Sequence, residues 1–179
     1  MDDNLINQDE TDPKDETSRY PLIAPTAWTM RGLIINETIY LERLIDEFLG
    51  RHFCPDKIKR SELFELILGN ERISFESKRQ ILKFVMDKHF KTVVDTNKNI
   101  FSDLKEIIDE RNFLAHQLLD TSDEAFNKLK ENKIGFVKFR NSTETTWYDN
   151  DKINTIRKLI VAYIKLFSDE LEKTQKEHY

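Results

Sequence analysis

Residues 150–176, NDKINTIRKLIVAYIKLFSDELEKTQK, decide the fold class. Ile153, Ile156, Ile160, Tyr163, Ile164, Phe167 and Leu171 recur at steps of three or four, the spacing that lines side chains along one face of an α-helix. Asn150 or Asp149 is the expected N-cap, and the helix is expected to reach about Lys176. The same period runs upstream. Met30, Leu33, Ile34, Leu41, Leu44, Ile45, Phe48 and Leu49 predict a helix that opens after Pro25 on a Thr26 cap and ends between Gly50 and Pro55. A second is expected from about Asp56 to Leu68, stopped by Gly69-Asn70; a third from Ser74 to about Phe90; a fourth from about Asn99 to Leu119. All four prolines lie at or before Pro55, so nothing beyond it forces a helix to break.

Composition points the same way. Four glycines and four prolines in 179 residues are about 4%, against about 12% in average chains, which excludes collagen-like and loop-dominated architectures. The expectation is an all-α fold, a bundle of four to five helices. One segment breaks the helical period: Ile134-Gly-Phe-Val-Lys-Phe139 and Thr145-Thr-Trp-Tyr148, with Asn141-Ser142 between them, predict a small β-hairpin near 134–149.

The net charge of −5 is unevenly placed. Residues 1–19 hold seven acids against Lys14 and Arg19, whereas 20–179 carry 26 acids and 26 bases. The first segment offers only Leu5 and Ile6 as large aliphatics, too little burial to offset its ordering entropy, and is expected to be a disordered acidic tail. Residues 20–179, 39% apolar over the whole chain, are expected to form one domain. The single cysteine, Cys54, rules out an intrachain disulfide framework. An acidic N-terminus is the opposite of a signal peptide's basic start, and Leu159–Phe167, broken by Lys165, is far short of the roughly 20 residues a bilayer needs. A soluble, cytoplasmic protein with no membrane partner is expected.

The fourth helix carries the candidate chemistry. On a wheel of 100° per residue with Leu104 at the origin, Ile107, Ile108, Leu114, Ala115 and Leu118 form an apolar stripe, and Arg111 falls at about 340°, inside it. A guanidinium on a core face is costly unless it meets an anion or lines a wet cleft. Asn112 and His116, four residues apart, share one edge of the stripe. Phe113 points to the opposite face, where it packs under a neighbouring helix or enters a subunit interface. Two plainer readings of the polar residues stand beside a catalytic one: an arginine that snorkels or pairs with a carboxylate, and a satisfied structural histidine. With ten arginines, twelve asparagines and four histidines, chance places Arg-Asn-x3-His somewhere in the chain with a probability of only about 1–2%.

Arg111-Asn-Phe-Leu-Ala-His116, late in a helix that begins Asp103-Leu-Lys-Glu-Ile-Ile, resembles the Arg-x4-His signature of the HEPN superfamily, whose commonest form has a polar residue after the arginine. Lys59–Leu68, Ile73-Ser-Phe75 and Lys78–Leu82 are similar to what precedes the motif in prokaryotic members. The resemblance implies a helical bundle that pairs as a homodimer, with two motifs meeting in one cleft. It also implies a metal-independent endoribonuclease that needs no cofactor, acts on RNA and leaves 2′,3′-cyclic phosphates, as toxins and abortive-infection effectors of antiviral defence do. Carried over, Arg111 and His116 are the catalytic pair: His116 the general base or acid, Arg111 the phosphate holder, with Asn112 orienting the histidine or the substrate. Some toxins of the family have a tyrosine two residues after the histidine that a partner enzyme modifies. Here Leu118 stands there, so an antitoxin acting by that route is not expected, though a regulatory partner of another kind stays open.

A non-catalytic module that binds RNA, a nucleotide or a partner protein is the competing reading, favoured by the neutral charge of 20–179. The histidines show no metal-ligand spacing with one another or with Cys54, and the glycines are too scattered for a phosphate loop. Basic stretches at 51–60, 78–91 and 128–140, the last interleaved with Phe136 and Phe139, are either an RNA-following surface or ordinary solvated charge.

Overall fold

The structure, a computed structural model, describes residues 16–69, 73–138 and 144–176. Among them lie seven α-helices and a three-stranded sheet: α1 (Glu16–Phe53), α2 (Lys57–Leu63, prolonged by a π-wound turn, Phe64–Leu68), α3 (Phe75–His89), α4 (Lys91–Thr96), α5 (Ile100–His116), β1 (Leu118–Leu119), α6 (Asp123–Leu129), β2 (Ile134–Lys138), β3 (Glu144–Tyr148) and α7 (Asn150–Lys176). The expected helices are α1, α2, α3, α5 and α7, to which the structure adds the short α4 and α6. No described helix is long and apolar enough to cross a membrane.

Helix α1 overturns one expectation. It starts at Glu16, before the supposed Thr26 cap, and runs through Pro21 and Pro25. Proline removes one amide donor and crowds the carbonyl a turn earlier, yet the buried face continues across both residues through Ile23, Ala24, Ala27 and Met30 into Ile34. Burial along that face outweighs the two lost bonds. Arg19 also belongs to the helix, its buried guanidinium paired with Asp123, while residues 1–15 of the expected tail lie outside the described residues.

The chain divides into two compact units, and α1 contributes residues to each. The smaller unit holds the start of α1 and residues 118–138 and 144–149. Its sheet is antiparallel in the order β1-β2-β3, with Phe136 opposite Thr146 and Gly135 opposite Trp147. The hairpin is where the aromatic and β-branched pattern placed it, although its turn and Phe139 lie outside the described residues. Leu118 and Leu119 were expected to end the fourth helix and instead form β1, pairing with Val137 and Phe136. The reason is local. Asp120 donates its amide to the Gly135 carbonyl, accepts from Thr145 Oγ1 on one carboxylate oxygen and from the Ser122 amide on the other, and so turns the chain into the Ser122 cap of α6. Gly135 is required there, because a Cβ would stand 2.8 Å from both Thr145 and the Trp147 ring.

The larger unit holds residues 30–69, 73–117 and 150–176. Ile34, Leu41, Ile45 and Leu49 from α1, Leu82 and Met86 from α3, Leu104 and Ile107 from α5, and Ile160 and Phe167 from α7 are all buried. Phe48 meets Phe90 and Phe167 at centroid distances of 4.8 and 5.8 Å. Asp56 and Ser74, the expected starts of α2 and α3, are their N-caps, and α7 spans its expected range. The Gly69 amide donates to the Phe64 carbonyl at 2.7 Å, closing the π turn. Polar ties join the helices. Arg157 forks onto Glu37 Oε1 at 2.6 and 2.9 Å, and the Tyr163 hydroxyl donates to Asp103 at 2.6 Å, which together with burial pushes that phenol well up. Lys78 is buried on α3 and reaches Glu42 at 2.6 Å and Asp46 at 2.8 Å on α1.

Candidate functional site

The site is built on the last two turns of α5. Ile100, Leu104, Ile107, Ile108 and Leu114 bury the apolar stripe, but at its C-terminal end the cover thins: Arg111 is half-buried and Ala115 exposed. An arginine on the stripe is therefore accommodated by water at its head rather than by a dry core. Its Nη1 donates to Asn112 Oδ1 at 2.9 Å, and among the described residues no carboxylate lies within ion-pair distance of it. The neighbouring acids are engaged elsewhere, Asp109 with Lys105 and Glu110 with Lys152 at 4.0 Å. His116 is exposed in the final turn, where Gln117 N closes the helix on the Phe113 carbonyl at 3.0 Å. Asn112 is thus bonded to the arginine, the side chain that the sequence reading had not assigned to it. Phe113 is half-buried, so it is not a bare outward face.

A further cation comes from α1. Arg31 Nη2 donates to the Gln117 carbonyl at 2.5 Å, satisfying one of the acceptors that a helix end leaves open and tying down the residue after His116. The criterion that singled out Arg111 would also have found it. Arg31 lies between Ala27 and Ile34 on the buried side of α1, an arginine on a core edge.

Part of the charge in the three basic stretches is spent on internal contacts. Lys78 is buried, and Arg79 forks onto Glu76 and bonds the Phe101 carbonyl, so that the Arg79 hydrogen bond holds Glu76 down at about 2. Lys128 pairs with Glu124 and lies 4.1 Å from the Trp147 ring centroid, and Lys133 pairs with Glu131. Phe136, which the RNA-following alternative would have needed as an open ring, is wholly buried. Those side chains serve the fold. Arg51 is likewise tied to Glu47 and to the Leu171 carbonyl.

Among the described residues no cluster of three or more His, Cys, Asp or Glu is arranged to hold a metal ion. Two imidazoles do meet. The rings of His52 and His89 lie 4.8 Å apart, a pairing made by the approach of α1 and α3 and without any signal in sequence spacing.

No protein-family model, no curated protein and no solved structure matches the chain.

Proposed function

We propose that the protein is an endoribonuclease of HEPN type that cuts RNA without a metal, leaves 2′,3′-cyclic phosphate ends and serves as a toxin or anti-phage effector. The observation that carries this reading is the presence on one helix end of an exposed imidazole, His116, and of a guanidinium, Arg111, that has no carboxylate to neutralise it among the described residues. A cation left open to solvent and steered by an amide is suited to a phosphodiester.

In the proposed reaction the ribose 2′-oxygen attacks phosphorus while its proton passes to a base, and the 5′-oxygen leaves with a proton from an acid. His116 fills one of these roles. Arg111 holds the non-bridging oxygens and the charge that builds on them, with Asn112 setting the plane of its fork. The two side chains leave a regular helix about 140° apart, and α5 stays α-helical through His116, which favours a homodimer in which one phosphate meets Arg111 of one subunit and His116 of the other.

Cleavage of single-stranded RNA by purified protein in excess chelator tests the reading. His116→Ala is expected to abolish the cut while leaving the thermal midpoint in place. Equal cleavage by that variant would sink it. RNA bound but never cut would select the non-catalytic module instead.

A further inference from the structure

His52 lies in the last turn of α1 and His89 ends α3, with imidazole centroids 4.8 Å apart and planes tilted by 50°. His52 is half-buried and has the Phe53 and Phe90 rings beside it at 4.9 and 6.1 Å, so its orientation is set by packing. His89 is exposed and can turn about its own side-chain bonds.

We propose that His52 and His89 form a two-imidazole chelate for a late first-row divalent cation of the Zn2+ or Cu2+ kind. The distance is right for it. With His89 turned so that one nitrogen of each ring faces a common point, a metal–nitrogen bond of about 2.0–2.1 Å and a ring centroid about 1.1 Å behind the nitrogen, centroids 4.8 Å apart would subtend roughly 100° at the ion. That lies between the angle of about 90° in square or octahedral sites and the roughly 109° of a tetrahedron. Lys88 repels any dication, which disfavours Mg2+ and Ca2+, whose binding is electrostatic and takes oxygen ligands, and leaves ions that bond strongly to imidazole nitrogen. No third His, Cys, Asp or Glu joins the pair among the described residues, so water or an outside donor completes the coordination. The site is separate from the proposed RNA chemistry, and nothing in that reaction passes through it.

The full chain is titrated calorimetrically with ZnCl2, with MgCl2 as control, and separately with CuCl2 followed by electron paramagnetic resonance. Zn2+ is expected to bind at a single equivalent and raise the thermal midpoint, Mg2+ to do neither, and Cu2+ to show hyperfine coupling to two nitrogens. His89→Gln changes an exposed position and should fold. It is expected to weaken Zn2+ at least about tenfold, since losing even an outer partner of a metal ligand costs about 10- to 100-fold. His52→Gln is expected to act alike, and His116→Gln to leave Zn2+ affinity unchanged. Equal Zn2+ affinity in the wild type and His89→Gln, or no binding by the wild type at millimolar Zn2+, overturns the proposal. Both readouts are independent of cleavage, so an inactive nuclease would not count against it.

Discussion

Arg111 donates through Nη1 to Oδ1 of Asn112, its neighbour in sequence, at 2.9 Å. Adjacent residues on a helix point about 100° apart, so this bond draws the guanidinium off the stripe toward the edge that also carries His116. One N–H of the fork is committed and the rest keep a defined plane.

Asn112→Ala is therefore expected to lower kcat/KM for RNA about tenfold, equivalent to about 1.4 kcal/mol of transition-state stabilisation. Arg111→Lys keeps the charge but not the fork and is expected to cost more, about 100-fold or beyond. Single-turnover cleavage of a defined RNA measures both. An Asn112→Ala enzyme as fast as the wild type would contradict the positioning role.

Lys78 is the charge whose loss the larger unit should feel most. Its ammonium is shared between Glu42 and Asp46, and the Asp46 side chain is only 5% exposed. Lys78→Met leaves that carboxylate buried without a counter-ion and is expected to cost about 3–5 kcal/mol in chemical denaturation. Adding Asp46→Leu should recover most of the loss, because Glu42 can turn to water. A double variant no more stable than Lys78→Met would refute this.

The same pair gives a pH signature. Burial pushes the Asp46 carboxyl up to about 6 from 3.8, against the pull of Lys78, and its Oδ1 has no hydrogen-bond partner among the described residues. A folded pKa above the unfolded one means the native state holds the extra proton between those values. The contribution to stability is full below pH 3.8 and is lost as pH rises through about 6. The stability difference between wild type and Asp46→Asn should thus shift against the wild type by about 1–3 kcal/mol from pH 4 to 7. Urea denaturation at several pH values reads it, and a flat difference would be the contrary result.

Pro25 is exposed within α1 and removes the amide that would bond the Pro21 carbonyl. Pro25→Ala restores the donor without giving up buried surface, and an increase in stability of about 1–3 kcal/mol is expected from thermal melts. A lower midpoint would mean that the proline ring holds the entry of α1 in place.

The periodicities of α3, α5 and α7 were legible because each buries one face, and burial of one face writes a repeat of three or four into the residues themselves. The hairpin was legible for the same kind of reason, through β-branched and aromatic residues. The start of α1 was not. A proline is read locally as a stop, whereas the buried run from Ile23 to Ile34 shows that packing outweighed it. Nor was β1, whose two leucines continue the apolar pattern of α5 and are diverted by Asp120 contacts with Gly135 and Thr145, distant in sequence.

For the candidate site, sequence alone determined that an arginine, an asparagine and a histidine stand within one stretch of helix, and that the arginine falls on its apolar stripe. These follow from order and helical period. Only the tertiary structure decided that the stripe loses its cover at Arg111, that Asn112 serves the guanidinium, that Arg31 ties the carbonyl after His116, and that His52 meets His89. Each of those depends on which surfaces helices bring together. Such contacts join residues far apart in the chain, and no spacing along it records them.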